Sequence, residues 1–304
     1  MRNKHILDMA SLSPGEIKQI LETAVRMKEI SRRAIKKVPT LRGKTVVHFF
    51  YEPSTRTKSS FDIAAKRLSA DSMSFSKATS SVVKGETLLD TIQNIEAMQP
   101  DVIVIRHSSA GAPHMLAKMC QARVINAGDG MHAHPTQALL DMMTVREKKG
   151  RLQGLNLLIV GDIAHSRVAR SNIVGFQKMG AQVMLAGPPT MMPLGIEAQG
   201  ATVVDHLDAA IPKADIIMML RVQKERQKLF LMPSEREYAN IYVLNLDRLK
   251  NAKRDVLIMH PGPMNRGVEI APEVADGPFS VILDQVTNGV AVRMALLYLV
   301  LGGK

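Results

Sequence analysis

The chain has 304 residues, of which 46% are hydrophobic and 22% charged. This composition is typical of a globular protein of about two domains and excludes collagen-like, disordered and disulfide-scaffold chains. The single cysteine, Cys120, excludes a disulfide framework and a thiolate metal cluster. Forty basic and 28 acidic residues give a net charge of +12, which favours anionic partners without separating nucleic acid from small phosphorylated or dicarboxylate substrates.

The sequence shows neither a membrane span nor an address signal. Asp8 comes before any apolar run of signal-peptide length. The most apolar run, residues 294–301, is far shorter than the ~20 residues that cross a bilayer. We therefore expect a cytoplasmic protein without a membrane partner.

The first predicted element is a helix that begins after Ser13. The segment Ser13-Pro-Gly-Glu16 has the form of a capping box, and Ile17, Ile20 and Leu21 follow at helical spacing. The basic stretch at residues 26–44 is interpreted as a solvated helix face and linker. A nucleic-acid contact is less favoured there, because no aromatic residues interleave with the basic ones to stack bases.

Nine short β-rich runs follow, and helical patterns fill most of the gaps between them. This alternation predicts an α/β protein with two open parallel sheets and right-handed crossovers. A helix from Pro135 is predicted to end at Lys149 and Gly150, and we place the domain boundary there. The predicted strands are residues 45–50, 102–105, 123–126, 155–160, 182–186, 216–220, 242–244, 256–259 and 281–283.

Polar residues follow directly after several of these strands. Ligands of open parallel sheets bind beyond the carboxyl ends of the strands, so residues at these positions are candidates for a binding site. One arginine after a strand is more often a surface charge than a ligand, but a repeated pattern favours a site for anions. Four arginines share this position: Arg56, Arg106, Arg167 and Arg221.

The segment Ser54-Thr55-Arg56-Thr57 opens a helix and predicts a phosphate site. Free N–H groups at a helix N-terminus, hydroxyl donors and a guanidinium together form a receptor for a phosphate dianion. The alternative, Ser54 as a plain N-cap, explains the hydroxyls but not Arg56 among them. The sequence has neither a P-loop nor a dinucleotide-binding fingerprint, so we expect no nucleotide and no other cofactor.

His134 precedes Pro135 and is predicted to cap a helix. The positive end of the helix dipole disfavours imidazolium, and a neutral imidazole there would donate a hydrogen bond to a carbonyl group. A purely structural capping histidine is an open alternative. A metal pair with His132 is disfavoured, because no carboxylate or thiolate was identified to complete a ligand set, and we expect no metal site.

In chain order, the motifs resemble those of the aspartate carbamoyltransferase family. Each motif is weak alone, but seven in one order, spread over nearly the whole chain, make a chance resemblance very improbable. The motifs are Ser-Thr-Arg-Thr, Lys-Gly-Glu-Thr, Arg-His, His-Pro-Thr-Gln, His-Ser-Arg-Val-Ala-Arg-Ser, Arg-Val-Gln and His-Pro-Gly-Pro.

The resemblance implies an enzyme of pyrimidine synthesis. It would transfer the carbamoyl group of carbamoyl phosphate to the amine of L-aspartate, which yields N-carbamoyl-L-aspartate and phosphate. The fold implied is two parallel-sheet α/β domains with the active site in the cleft between them. Residues 1–149 would bind carbamoyl phosphate and residues 150–285 aspartate, with a C-terminal helix at 286–304 packed back on the first domain.

The resemblance also assigns roles to residues. Thr55, Arg106 and His134 would stabilise the carbonyl oxygen, with Arg56 and Lys84 as further catalytic residues. The aspartate carboxylates would be held by Arg167, Arg221 and Gln223, together with Lys84. The phosphate and carbonyl contacts of carbamoyl phosphate would be Ser54, Thr55, Arg56, Thr57, Arg106, His134, Gln137 and the backbone of Gly262 and Pro263.

Family members share active sites between subunits, and this is also implied here. Ser80 and Lys84 would reach the site of a neighbouring subunit in a homotrimer. Residue chemistry alone does not predict this, because a lysine beside a glycine is usually a solvated loop charge. Regulatory chains and assembly beyond the trimer are left open.

The nearest alternative is an ornithine or other amine-acceptor carbamoyltransferase. Ornithine enzymes usually carry Asp-x-x-x-Ser-Met-Gly and His-Cys-Leu-Pro motifs, whereas this chain has His260-Pro-Gly-Pro263, and Arg221 would repel the ornithine ammonium. A nucleic-acid-binding protein and an inactive scaffolding paralogue are both less favoured. Two departures from the family pattern, Asp62 for Glu and Ser69 for Gly, concern packing rather than chemistry.

Overall fold

The computed structural model describes residues 1–76, 87–223 and 231–302. The chain divides into two compact units. Unit 1 consists of Met1–Met143 and Val286–Lys304, and unit 2 of Thr144–Gln285. This division falls between Met143 and Thr144, inside a helix that ends at Lys149. The domain boundary at residue 150 stays a prediction.

Unit 1 contains a four-stranded parallel sheet in the order β2-β1-β3-β4. Phe49 in β1 pairs with Phe75 of β2 on one side and Ile105 of β3 on the other. The strands are β1 (Thr45–Phe50), β2 (Asp71–Ser76), β3 (Val102–His107) and β4 (Arg123–Asp129). The helices are α1 (Pro14–Arg32), α2 (Thr55–Arg67), α3 (Leu88–Ala97), α4 (Ala112–Met119) and α5 (Pro135–Lys149), the last of which continues into unit 2.

The predicted capping box of α1 is present. The Ser13 hydroxyl accepts from the Glu16 N–H at 3.2 Å, and the Glu16 carboxylate accepts from the Ser13 N–H at 3.1 Å. The other oxygen of Glu16 accepts from the backbone N–H of Arg2 and Asn3. One carboxylate therefore satisfies the helix start and ties down the N-terminal segment.

Helix α2 ends in a Schellman motif that places Ser69 in the left-handed region. Ser69 N–H donates to the carbonyl of Lys66 and Ala70 N–H to that of Ala65, and φ of Ser69 is 63°. Such a position favours glycine because a Cβ is strained there. The Ser69 hydroxyl donates to the carbonyl of Val38 at 3.0 Å, which partly offsets this strain.

Unit 2 contains a five-stranded parallel sheet in the order β7-β6-β5-β8-β9. Its strands are β5 (Asn156–Val160), β6 (Gln182–Ala186), β7 (Thr202–Val203), β8 (Ile216–Met219) and β9 (Leu257–Met259). Its helices are α6 (Arg167–Lys178), α7 (Leu207–Ala210), α8 (Glu235–Tyr242), α9 (Leu246–Leu249) and α10 (Pro272–Ala275), and α11 (Ile282–Val300) leads from unit 2 into unit 1.

Two predicted strands are wrong. Residues 242–244 instead hold the last residue of α8 and a single bridge from Leu244 to Ile270. Residues 281–283 lie at the start of α11, which begins at Ile282 rather than at the predicted residue 286. Tyr242, Leu244 and Ile282 of these runs pack into the core of unit 2, and a three-residue apolar run cannot distinguish a strand from a buried helix end.

Two strands of the structure have no counterpart in the prediction, β2 and β7. The sequence of β2, Asp-Ser-Met-Ser-Phe-Ser, has too few apolar residues to stand out as a strand. Both β2 and β7 are edge strands, so one neighbour supplies their pairing and no apolar run is required of them.

The last turn of α5 is fixed to unit 2 by two ion pairs. Lys149 Nζ lies 2.7 Å from Asp255 Oδ2, and Lys148 Nζ lies 3.1 Å from Asp284 Oδ2. These contacts explain why the end of α5 groups with unit 2. No helix among the described residues combines the length and the apolar character needed to cross a bilayer.

His48 is a buried histidine in the centre of β1. Its side chain is 0% exposed, and both ring nitrogens lack a hydrogen-bond partner among the described residues. Burial lowers the pKa of His48 from 6.5 to about 4, although the nearby Asp62 carboxylate acts in the opposite direction. The ring lies 6.3 Å from that of Phe61, so an apolar side chain suits this site.

We expect His48→Leu to flatten the pH dependence of stability. A folded-state pKa below the unfolded value means that protonation favours the unfolded chain, so wild-type stability falls as the pH drops from 6.5 toward 4. Between pH 7 and 5 this amounts to about 2 kcal/mol, measured as the free energy of unfolding in urea. The exposed His206→Gln is the control, and equal pH slopes in His48→Leu and wild type would contradict the expectation.

Candidate active site

The carboxyl ends of three neighbouring strands of unit 1 carry the first group of candidate residues. In the sheet β1 lies beside β3, and β3 lies beside β4. Ser54 and Thr55 follow β1, Arg106 lies near the end of β3, and His134 follows β4. Parallel pairing places these ends on one edge of the sheet. Arg106 is also in register with Phe50, the last residue of β1.

The N-terminus of α2 is open for an anion. Ser54 occupies the N-cap position, but its hydroxyl makes no capping hydrogen bond to the helix. The intrahelical bonds begin only with the Lys58 N–H, which donates to the Ser54 carbonyl at 3.1 Å. Thr55 and Arg56 are exposed and Thr57 is buried. This first turn therefore presents N–H and hydroxyl groups at the positive end of a helix dipole.

Arg106 is held at the sheet edge by an ion pair. Its Nε lies 3.3 Å from Oε2 of Glu52, and the two side chains are 14% and 22% exposed. Its Nη1 donates to the carbonyl of Ala127 at 3.4 Å, and its own carbonyl accepts from the Tyr51 N–H at 2.8 Å. The guanidinium is thereby oriented between the loop that follows β1 and the carboxyl-terminal part of β4.

His134 lies at the start of α5, as the sequence predicts. Its carbonyl accepts from the N–H groups of Gln137 and Ala138, and its imidazole is 4% exposed. One turn further on, the Gln137 amide donates to Asp141 Oδ1 at 2.9 Å. This bond leaves the carbonyl oxygen of the Gln137 side chain as an acceptor for a ligand NH₂ group.

The second group of candidates lies in unit 2, at the carboxyl ends of β5, β8 and β9. These three strands are neighbours in the sheet. Asp162, the second residue after β5, is fully buried and is the common acceptor of this region. Its Oδ1 accepts from the His165 N–H at 3.2 Å and lies 2.8 Å from His165 Nδ1, while its Oδ2 accepts from the Gln223 N–H at 3.2 Å. One carboxylate thus joins the loops after β5 and β8.

Three candidates for the acceptor substrate lie on these loops. Arg167 is the first residue of α6, which Ser166 caps by accepting from the Ala169 N–H, and it is 3% exposed. Arg221 Nη2 donates to Gln223 Oε1 at 3.4 Å. The Gln223 amide in turn donates to the Arg221 carbonyl at 3.3 Å. The guanidinium of Arg221 and the amide of Gln223 therefore form one donor surface.

Gly262 and Pro263 follow β9 and are positioned by His260. The Gly262 N–H donates to His260 Nδ1 at 2.8 Å, so Nε2 carries the ring proton and donates to Glu269 Oε1 at 3.1 Å. Both His260 and Glu269 are buried. Gly262 has a φ of 66°, which glycine adopts without strain, and it precedes a cis peptide bond to Pro263.

The structure groups the predicted residues by unit. Ser54, Thr55, Arg56, Thr57, Arg106, His134 and Gln137 lie at the sheet edge of unit 1, and Arg167, Arg221, Gln223, Gly262 and Pro263 at that of unit 2. Ser80 and Lys84 lie outside the described residues.

Four acidic residues of these sites were missed by the sequence reasoning. Glu52 and Asp162 are each the second residue after a strand, so the rule that found the arginines could have found them. Asp141 lies four residues after Gln137 on the same helix face, a weaker signal. Glu269 has no local signal, because its contact with His260 spans nine residues of loop.

Comparisons with known proteins match both halves of the chain. The family model for the carbamoyl-P binding domain of aspartate/ornithine carbamoyltransferase matches residues 4–147, and the model for its Asp/Orn binding domain matches residues 153–300. The chain belongs to the aspartate/ornithine carbamoyltransferase family. The two models meet near the end of α5.

Individual members of the family resemble the chain over nearly its whole length. The aspartate carbamoyltransferase catalytic subunit of Desulfosudis oleivorans is 71% identical over 100% of this chain and 98% of its own. Aspartate transcarbamoylase from Trypanosoma cruzi, solved with carbamoyl phosphate and aspartate, has a TM-score of 0.88 at 29% identity, covering 97% and 95% of the two chains.

An ornithine enzyme has nearly the same fold. Ornithine carbamoyltransferase from Pyrococcus furiosus has a TM-score of 0.86 at 32% identity and covers 99% of this chain and 97% of its own. The fold therefore defines the family but does not distinguish aspartate from ornithine as the acceptor. That distinction must come from the candidate acceptor-binding residues of unit 2.

Proposed function

We propose that the chain is an aspartate carbamoyltransferase, which transfers the carbamoyl group of carbamoyl phosphate to the amine of L-aspartate. The observation that carries this proposal is the donor surface of Arg221 and Gln223, joined through Asp162 to the loop that leads to Arg167. Two guanidinium groups suit two carboxylates, whereas they would repel the ammonium that ornithine carries in place of the second carboxylate. The 71% identity to an aspartate enzyme supports the same choice.

The unit 1 residues are proposed to bind carbamoyl phosphate. Its phosphate lies on the first turn of α2, against Ser54, Thr55, Arg56 and Thr57. Its carbonyl oxygen accepts from Thr55, Arg106 and His134. The carbamoyl NH₂ group donates to the side-chain oxygen of Gln137 and, by family resemblance, to the backbone of Gly262 and Pro263.

The reaction needs no covalent intermediate with the protein. The amine nitrogen of aspartate attacks the carbonyl carbon, and the electron pair of the C=O bond moves onto the oxygen. When this pair returns, the C–O bond to phosphate breaks and N-carbamoyl-L-aspartate and phosphate result. The amine loses one proton, which a phosphate oxygen can accept. Donors aimed at the developing oxyanion contribute on the order of 10²-fold each.

We further propose that the enzyme acts in the cytoplasm, in pyrimidine synthesis, as a homotrimer. In this assembly Ser80 and Lys84 of one subunit complete the site of its neighbour, and Lys84 adds a cation to the aspartate side. The family resemblance supports this arrangement.

The test of the proposed function is a comparison of acceptors. Purified enzyme receives carbamoyl phosphate with L-aspartate or with L-ornithine, and phosphate release is measured. We expect rapid release with aspartate and only background hydrolysis with ornithine. Faster release with ornithine would refute the acceptor assignment, and equal background with both would refute carbamoyl transfer.

Arg106→Ala is expected to reduce kcat about 10²- to 10³-fold, because one donor to the oxyanion is lost. Steady-state kinetics at saturating substrates measure this effect, and the unfolding midpoint shows whether the variant is folded. Arg123→Ala, at the amino end of β4, removes the same side chain from the opposite end of the sheet and serves as the control. Near-normal turnover in Arg106→Ala would remove Arg106 from this role.

Arg221→Ala is expected to act mainly on aspartate binding. Loss of a charged hydrogen-bond donor should raise the KM for aspartate about 10- to 100-fold and leave the KM for carbamoyl phosphate nearly unchanged. The exposed Arg254→Ala, just before β9, is the matched control. An unchanged KM for aspartate would move the acceptor site elsewhere.

Mixed oligomers test the shared site. Lys84→Ala and Arg106→Ala are each expected to be nearly inactive, since each damages every site of a homotrimer. The two variants are then dissociated, mixed and reassembled, so that some sites receive both substitutions and others receive neither. The sites that receive neither should restore a substantial fraction of wild-type activity. Reassembled mixtures without any recovery would show that each site lies within one chain.

A further inference from the structure

Two histidines and a buried aspartate of unit 1 come together apart from the anion-binding residues. His114 belongs to α4, Asp129 ends β4, and His132 lies in the loop that follows. One ring nitrogen from each histidine and one carboxylate oxygen of Asp129 all lie within 4.8 Å of one another. Three different segments thus direct potential metal ligands to one point.

Asp129 is a rigid centre for this cluster, which we call the His–Asp–His cluster. Its side chain is fully buried. Oδ1 accepts from the amide of Asn126 at 2.8 Å and from the Ala133 N–H at 3.1 Å. Oδ2 accepts from the Gly111 N–H at 2.8 Å and lies 3.0 Å from His132 Nδ1. The carboxylate orientation is therefore fixed before any ligand binds.

The ring of His114 is also oriented, by a second carboxylate. Its Nε2 lies 2.8 Å from Asp8 Oδ2. An ionised carboxylate accepts hydrogen bonds only, so Nε2 carries the proton and the lone pair of the ring is at Nδ1. That atom is buried and lacks a hydrogen-bond partner within the described part of the chain. A carboxylate behind a histidine is the usual arrangement around protein-bound metals.

Separate His–Asp pairs explain only part of this geometry. The contacts of His114 with Asp8 and of His132 with Asp129 would each be ordinary hydrogen bonds. They give no reason for the buried lone pair of His114 Nδ1, which has no hydrogen-bond partner among the described residues. A cation bound to the cluster would account for it.

We propose that His114, Asp129 and His132 bind one divalent transition-metal ion of the Zn²⁺ type, with water in the remaining positions. Two imidazoles and one carboxylate favour such an ion over Mg²⁺ or Ca²⁺, which prefer oxygen ligands. Ligand atoms about 2.0–2.1 Å from a tetrahedral Zn²⁺ lie about 3.4 Å apart. The 45% exposed side chain of His132 can rotate to close the remaining gap.

This proposal replaces the expectation of no metal site, which was based on His132 with His134. The partner of His132 in the structure is His114, and Asp129 is the carboxylate that was thought to be missing. The bound ion would link α4 to the loop between β4 and His134. Its presence is independent of the acceptor substrate and of the proposed reaction.

Calorimetry on chelator-treated full-length protein tests the proposal. Titration with Zn²⁺ should show one site per chain, and titration with Mg²⁺ should show none of comparable affinity. His132→Asn and His114→Gln should each weaken Zn²⁺ binding more than 10-fold, and Asp8→Asn about 10- to 100-fold through the orientation of His114. The exposed His206→Asn should bind as wild type does.

Thermal unfolding gives a second readout, because an ion that binds only the folded state raises the melting temperature. Zn²⁺ should raise it in wild type and in His206→Asn but not in His132→Asn, whose exposed side chain can be replaced without loss of folding. Unchanged Zn²⁺ affinity in both His132→Asn and His114→Gln would overturn the site. Equal affinity for Mg²⁺ would overturn the assignment of the ion class.

Discussion

In each unit, the candidate residues depend on holding positively polarised groups close together before any anion arrives. Guanidinium groups and helix N-termini at one sheet edge repel each other, and burial strengthens this repulsion. The structure offsets it with carboxylates that are not themselves ligands. Glu52 lies against Arg106, and buried Asp162 accepts from the loops that carry His165 and Gln223. Each carboxylate holds a hydrogen-bond donor in place and lowers the free-energy cost of removing that donor from water.

Under the proposed function, the same arrangement prepares each unit for a dianionic substrate. A phosphate or dicarboxylate that enters meets donors already oriented by buried acceptors, so little side-chain entropy remains to be lost on binding. Oriented donors are also the ones that stabilise a transition state effectively, because they need no reorganisation as charge develops. The fixed geometry of Gly262, set by His260 and Glu269, extends this principle to the backbone.

The fold could be predicted where hydrophobic patterning decided it. The runs at Thr45–Phe50 and Gln182–Ala186 match β1 and β6 residue for residue, because each is a β-rich segment bounded by turns. The edge strand β2 could not be found, since its polar sequence is a strand only through pairing with β1. The strand predicted at residues 242–244 was wrong for the opposite reason. Residues at a helix end are also apolar when they pack into the core.

Site residues divide along similar lines. Arg106 and Arg221 could be predicted because position after a strand is a local property of the sequence, and the parallel sheet turns it into a shared edge. Contacts between distant segments could not be predicted in this way. Asp162 and Gln223 are 61 residues apart in the sequence, so no local pattern indicates that Asp162 accepts a hydrogen bond from Gln223. The metal ligands illustrate the same limit, since His132 was paired with its sequence neighbour His134 rather than with His114. Lys84 was available only through resemblance to the family.

Acceptor choice within this family must rest on few residues, because aspartate and ornithine enzymes match this fold almost equally well. The acceptors differ in one end group, a carboxylate against an ammonium, while both present an amine for attack. A change of charge at one or two loop positions is therefore sufficient to exchange attraction for repulsion. Arg221 lies where such a change would act, at the carboxyl end of β8 beside Gln223. Under the proposed assignment, a cation at this position would bind the second carboxylate of aspartate and also exclude ornithine, so affinity and specificity would arise from the same side chain.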